Sequence, residues 1–237
     1  MLCLVAGADA PLAAITAAVA GGVDWVQLRE RGLSGRQLLA WVEAAGQAAR
    51  AGAQQHDEPG RLRVLVNRRI DVALAAGADG VHLGFDALDP AWARALLDAW
   101  PGNARDERRD APHAPSRPAR ALVGVSAHAA AEVMAAARAG ADYAHLAPIF
   151  APLSKPAERP PLGLRALAAA RRAGIPVLAQ GGLDTQHAAD AVRAGAAGIA
   201  VTGAVLGASD PGAAARRLRK GLDAARRGAP DHTEGSA

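Results

Sequence analysis

The sequence predicts an α/β chain folded as a single-domain (β/α)8 TIM barrel, and three observations carry that prediction. Short apolar runs alternate with longer amphipathic segments along all 237 residues. Continuous apolar strands separated by helices imply a parallel sheet buried on both faces. A glycine-led motif also repeats, as GGVDWV at 21, GADGV at 77, GADYA at 140 and GAAGI at 195. Its glycines, Gly22, Gly77, Gly140 and Gly195, recur at steps of 55, 63 and 55 residues, two βα units apiece. Four such pairs make eight units, and units of this even size fit a closed barrel better than a doubly wound open sheet.

The elements follow in order. Strands are expected at Leu2–Ala6, Asp24–Arg29, Arg63–Asn67, Gly80–Leu83, Ala121–Ser126, Tyr143–Ala147, Pro176–Gln180 and Gly198–Val201. Helices are expected between them, among others at Ser34–Ala51, Pro90–Trp100 and Asp184–Ala194. Ser34, Asp89 and Asp184 are candidate N-caps, because a short side-chain oxygen can accept a free N–H of the first turn. Each repeat glycine is expected as a C-cap that lets the helix turn into the next strand. The long middle step holds a Pro/Arg/Asp-rich insert at 101–119, expected as a mobile loop. The barrel is placed at 1–227, with a disordered C-terminal tail at 228–237.

Composition narrows the partners. The net charge is +4 and the pI near 10.1, which invites a nucleic-acid reading. The basic residues gather at 105–120 and 216–227, however, with acids mixed into the first group and no interleaved aromatics in either. Base stacking needs such aromatics, so a solvated surface is expected instead. Cys3 is the sole cysteine and sits in an apolar run, as a core thiol would. One cysteine allows no internal disulfide, which suits a reducing cytoplasm. The N-terminal stretch lacks a positive n-region and is broken by Asp9 and Pro11, so no signal peptide is expected. No apolar run is long enough for a membrane span.

In such a barrel the chemistry lies at the C-terminal ends of the strands. The second strand is followed by Gln27, Arg29, Glu30 and Arg31, and the third by Asn67, Arg68 and Arg69. After the fourth come His82, Gly84 and Asp86, and after the fifth Ser126 and His128. The sixth leads to Ser154 and Lys155, the latter one of only two lysines. The seventh and eighth open onto Gly181-Gly182 and Thr202-Gly203, where backbone N–H groups can converge on a phosphate. The alternative there is a pair of tight turns. Gln27, Arg29 and Arg31 alternate, which points them to one side of an extended strand end. Two guanidiniums so placed can clamp an oxyanion.

Together these segments resemble the thiamin phosphate synthase/TenI family. VQLRERGLSGRQLL is similar to its Gln-x-Arg-Glu-Lys segment, and LVNRRIDVALAAGADGVHLG to its Asn-Asp-Arg…Asp-Gly-Val-His-Leu-Gly segment. GVSAH, GADYAHLAPIFAPLSKP, AQGGL and GIAVTGAV follow in the family's order, so the likeness spans roughly 2–225. The resemblance implies a role in thiamin biosynthesis through one of two activities. A synthase joins hydroxymethylpyrimidine pyrophosphate to a thiazole phosphate, with Mg²⁺ and basic residues absorbing the charge of the leaving pyrophosphate. A TenI-type tautomerase moves a proton on a thiazole carboxylate phosphate and needs a general base but no metal.

Carried onto this chain, the resemblance makes Gln27, Arg29, Arg31, Asn67, Arg68, Ser126, Ser154 and Lys155 substrate residues, and His128 the base. Gly181, Gly182, Thr202 and Gly203 match the phosphate loops. The departures bear on the metal. Arg68 and Ala87 stand where the synthase pattern has two Mg²⁺-binding aspartates, and Asp86 is one residue off; Pro152 and Ser154 replace threonines. A hard cation wants oxygen ligands, so the favoured expectation is the metal-free tautomerase. The alternative is a synthase with an altered metal site using Asp86, and a third reading is a non-catalytic phosphate-ligand barrel. The expected partners are a phosphorylated thiazole, with a pyrimidine pyrophosphate if a synthase, and a homo-oligomer is allowed. His145, on the sixth strand, is a second imidazole whose facing strand parity leaves open.

Overall fold

In the computed structural model, residues 1–55, 61–84, 86–100, 120–151 and 159–227 are described. Eight parallel strands close into a barrel in sequence order: β1 (Leu2–Ala6), β2 (Trp25–Leu28), β3 (Arg63–Asn67), β4 (Gly80–Leu83), β5 (Leu122–Ala127), β6 (Tyr143–Leu146), β7 (Val177–Gln180) and β8 (Gly198–Val201). Helices α1 (Leu12–Ala20), α2 (Gly35–Ala53), α3 (Ile70–Ala75) and α4 (Pro90–Ala99) follow the first four strands. After the others come α5 (Ala130–Arg138), α6 (Leu164–Ala170), α7 (Thr185–Arg193), the short α8 (Gly203–Leu206) and the terminal α9 (Pro211–Arg227). The (β/α)8 expectation holds. The insert 101–119 and the tail 228–237 lie outside the described residues. Among the described residues no helix is long and apolar enough to cross a membrane.

The predicted caps are in place. Asp89 accepts from Ala91 N–H at 2.8 Å and Asp184 from His187 N–H at 2.8 Å. At Ser34 the Gln37 side chain reaches back to accept the Ser34 N–H at 3.1 Å. Gly22, Gly77, Gly140 and Gly195 all adopt left-handed backbone, with φ of 107°, 61°, 90° and 103°. The repeat therefore has its expected cause: an L side chain is disfavoured at the turn from helix into strand.

A second cause is visible only in three dimensions. In the first three repeats the aspartate of the motif locks the preceding odd strand. Asp24 accepts Leu2 N–H, Asp79 accepts Val64 N–H and Asp142 accepts Val123 N–H, each at 2.7 Å. The fourth repeat has Ala197 there; its carbonyl receives the Met1 amino group at 2.9 Å and Arg226 at 2.7 Å. Arg219 bonds both Asp24, at 2.9 Å, and Asp223, at 2.6 Å. This corrects the reading of 216–227 as a solvated basic face at Arg219 and Arg226, whereas Arg216, Arg217, Lys220 and Arg227 are exposed as expected. Arg219 is a tie that joins α9 to the base of the barrel.

The barrel interior is filled by Cys3, Val5, Leu65, Tyr143, Leu178 and Ala200. Cys3 is fully buried, as expected, and burial pushes its thiol up to about 12. Tyr143 lies across Gly124 with Trp25 edge-on, ring centroids 4.8 Å apart. A Cβ at position 124 would fall 1.9 Å from the Tyr143 ring. Gly124→Ala is thus expected to cost about 1–3 kcal/mol through overpacking. Chemical denaturation would read it, and a neutral result would place the ring elsewhere.

Candidate active site

Strand alternation turns Gln27, Asn67, His82, Ser126, His145 and Gln180 inward near the C-terminal ends of β2 to β7. Gln27 and Asn67 are buried, at 3% and 6% exposure. Gln27 Nε2 donates to Asn67 Oδ1 at 3.1 Å, and Gln27 Oε1 has no partner among the described residues. A buried carbonyl oxygen without a donor is costly, so this atom is suited to a ligand N–H or O–H.

His82 sits between Tyr143 Oη and Ser126 Oγ, 3.0 Å from each through Nδ1 and Nε2. His145 faces the interior, which parity had left open, with its ring 4.3 Å from that of His82. Neither of its ring nitrogens has a hydrogen-bond partner among the described residues. Burial drives its pKa down to about 3, opposed weakly by the nearby Gln180 side chain. Burial, then the charges of His145 and Arg29, hold His82 well below the usual imidazole range. Both imidazoles are neutral near pH 7. From the sequence His82 stands only as a residue at the end of the fourth strand and His145 as a second imidazole of open facing, and Tyr143 is not singled out. The signal was available in the period-2 parity of Gly80/His82 and Tyr143/His145.

The cationic side of the mouth departs from expectation in one respect. β2 ends at Leu28, so the alternation expected for Gln27, Arg29 and Arg31 stops before the arginines. Glu30 accepts the N–H groups of Ala8, Arg31 and Gly32 at 3.2, 2.6 and 2.8 Å, which folds the loop and keeps its carboxyl below the usual range. Arg29 and Arg31 are exposed, and neither forms an ion pair among the described residues.

Arg68 is the one non-glycine with positive φ among the described residues, at 68°. Such backbone costs on the order of 1 kcal/mol and concentrates at functional sites. Its N–H bonds His82 O at 2.8 Å and its guanidinium meets Asp86 at 2.5 Å. Arg68 holds the exposed Asp86 carboxyl below its usual range, with Arg31 adding a smaller share. Arg69 instead pairs with Asp71 at 2.6 Å and stands at the start of α3.

This donor set does not fit a Mg²⁺ ion. Arg68 and Ala87 supply no oxygen at the two expected positions, and Asp86 is engaged by a guanidinium. Among the described residues no three His, Cys, Asp or Glu side chains gather as a metal cluster.

His128, just past β5, has Nδ1 2.7 Å from Ala147 O. A carbonyl only accepts, so Nδ1 carries the proton and the neutral ring keeps its lone pair on Nε2, as a base requires. Gly181 and Gly182 have φ of 95° and 63°. A Cβ on them would come 2.9 Å from Pro148 and 2.2 Å from Ala151 O. Close packing of the β7 loop on the β6 loop therefore accounts for both glycines by itself. Thr202 and Gly203 are exposed where β8 enters α8. Ser154, Lys155 and Pro152 lie outside the described residues. A separate concavity of about 430 Å³ opens between the end of α1 and α9, lined by Arg216, Arg219 and Lys220. It adjoins Gly22, before β2, and so lies away from the strand C-termini.

A closed parallel barrel with buried amides, neutral imidazoles and guanidiniums at the strand ends belongs to the class whose chemistry sits at that mouth. A family model described as thiamine monophosphate synthase matches residues 2–115 and 107–205. The chain is 43% identical over 209 residues to a thiamine-phosphate synthase of Chloroflexus aurantiacus, covering 87% of this chain and 83% of that protein. It is 41% identical to the thiamine-phosphate synthase of Anaeromyxobacter dehalogenans, covering 94% and 87%. The solved thiamine phosphate pyrophosphorylase of Pyrococcus furiosus superposes with a TM-score of 0.73 at 25% identity, covering 94% and 96%. The chain belongs to the thiamine monophosphate synthase family, and its place is in thiamin biosynthesis.

Proposed function

We propose that this barrel is a thiamine-phosphate synthase, joining hydroxymethylpyrimidine pyrophosphate to a thiazole phosphate with release of pyrophosphate. The carrying observation is the 43% identity, over 83% of its length, to a relative named as that synthase. This reverses the preference for a tautomerase drawn from Arg68 and Ala87, since the relatives favour the transferase. In this reading the unpartnered Gln27 Oε1 and the Asn67 amide take the pyrimidine. Arg29, Arg31 and Arg68 face the pyrophosphate, whose charge grows as it leaves a cation-like pyrimidine. Ser126, Ser154, Lys155 and the Gly181, Gly182, Thr202 and Gly203 loops take the thiazole phosphate. The setting is a cytoplasmic one, with no nucleic acid or membrane as partner.

The second reading keeps one specific observation. The Ala147 carbonyl fixes the His128 tautomer that a tautomerase base would need. Two assays separate the readings: the two synthase substrates with and without Mg²⁺, and the thiazole carboxylate tautomer alone. Thiamin phosphate is expected in the first. Arg29→Ala should lower kcat/KM by about 10²–10³-fold, the usual loss for one charge-stabilising donor. Turnover of the tautomer only, abolished by His128→Ala, would install the tautomerase instead. Turnover of neither would leave a non-catalytic phosphate-ligand barrel.

A further inference from the structure

On the synthase reading, a departing pyrophosphate needs positive charge beside it at the barrel mouth. Mg²⁺ would need oxygen ligands there, and the two positions expected to offer carboxylates hold Arg68 and Ala87. Arg68 is held in a particular way. Its backbone is left-handed, with φ of 68°, a conformation that aspartate or asparagine adopts more readily than arginine. Its N–H donates to His82 O at 2.8 Å. Its side chain reaches the loop after β4, where Nη1 donates to Asp86 Oδ1 at 2.5 Å. The residue is thus fixed at both ends, by its backbone on β4 and by its guanidinium on the loop beyond.

A guanidinium presents its N–H donors in a planar fork that matches phosphate oxygens. Among the described residues, Asp86 engages the Arg68 guanidinium through Nη1, which orients the fork and leaves its other donors for a ligand. Two more guanidiniums act at the same place. Arg68 first, and then Arg31, hold the Asp86 carboxyl below its usual range. Burial first, then the charges of His145 and Arg29, act on His82. Glu30 in the same loop turns both carboxylate oxygens to backbone N–H groups. Among the described residues it forms an ion pair with neither Arg29 nor Arg31.

We propose, resting on the synthase reading, that Arg68 set by Asp86 is a built-in replacement for the divalent cation, so that pyrophosphate is expelled without Mg²⁺. The bond from the pyrimidine methylene carbon to the pyrophosphate oxygen breaks, and its electron pair leaves with the pyrophosphate. The lone pair of the thiazole nitrogen forms the new C–N bond, and no further reactant is needed. The growing charge falls on the forks of Arg68, Arg29 and Arg31. Thiamin phosphate formation by the full chain is measured in EDTA and again with Mg²⁺. The two rates are expected to agree within about threefold, whereas loss of a charge-stabilising metal costs about 10²-fold or more. Arg68→Gly removes the guanidinium and suits the left-handed backbone, so the fold should hold. Its kcat/KM in EDTA should fall by about 10²–10³-fold. Calorimetric titration of inorganic pyrophosphate in EDTA is a readout independent of turnover. Wild type should bind, and Arg68→Gly should bind about tenfold or more weakly. A wild-type rate that collapses in EDTA and returns with Mg²⁺ would overturn the proposal. So would full activity in Arg68→Gly, or metal-free pyrophosphate binding that is absent or unchanged in that variant. If thiamin phosphate forms under neither condition, the synthase reading fails separately, and the titration alone decides whether Arg68 is the cation that meets pyrophosphate.

Discussion

Asp24→Ala is expected to destabilise the barrel by about 3–5 kcal/mol, the loss typical of stranding one half of a buried charged pair. The Asp24 side chain is 8% exposed. It accepts Leu2 N–H at 2.7 Å and Arg219 at 2.9 Å, with Arg61 at 3.4 Å. Removing it orphans a buried N–H at the start of β1, worth about 1–3 kcal/mol alone. Among the described residues Arg219, 12% exposed, then keeps Asp223 as its acidic partner. That surviving partner places the expected loss toward the lower end of the range. Asp24→Asn retains an acceptor for Leu2 and should cost about half as much, since only the charge is lost. Urea unfolding would show a lower midpoint at unchanged slope. A loss below about 1 kcal/mol would mean that the lock does not anchor β1.

Acid should weaken the fold well before its carboxylates protonate. An unfolded histidine titrates near 6.5, whereas buried His145 titrates at about 3. Near pH 7 the ring is largely neutral in both states and costs little. As pH falls below 6.5, the unfolded chain binds a proton that the native core refuses. Stability is then lost continuously down to about pH 3. For His145 alone the loss between pH 7 and pH 5 is about 2 kcal/mol. His82 is shifted in the same direction and adds to it. Unfolding at the two pH values, in wild type and His145→Phe, checks this. The variant should lose about 2 kcal/mol less over the interval; equal losses would mean that His145 is not the buried group responsible.

The eight strands were legible because each is an apolar run ended by a glycine, a proline or a polar cluster. The repeat glycines were legible because positive φ restricts the residue type. What stayed hidden depends on contacts between distant segments. The Asp24, Asp79 and Asp142 locks join residues 22, 15 and 19 positions apart, and nothing in the local pattern marks an aspartate as an acceptor for another strand. Arg219 read as a solvated charge because its partner is 195 positions away. At the mouth, the inward facing of Gln27, Asn67 and Ser126 at strand ends was legible from residue type and strand position. The exposed arginines were given a strand alternation that ends one residue too soon. Gly181 and Gly182 were read as phosphate donors, and their tight packing against the neighbouring loop needed coordinates.

The Tyr143–His82–Ser126 chain has a polarity. Burial keeps the Tyr143 phenol protonated, its pKa well above the ordinary value. Its hydrogen has one acceptor among the described residues, His82 Nδ1. The ring then carries its proton on Nε2 and donates it to Ser126 Oγ. The serine's own hydrogen is left pointing onward. Ser126 thus has a hydrogen to give and one lone pair still free for whatever atom comes to rest against it. A phenol buried beneath the site thus fixes the direction of hydrogen bonding two residues away, at the serine that faces the mouth.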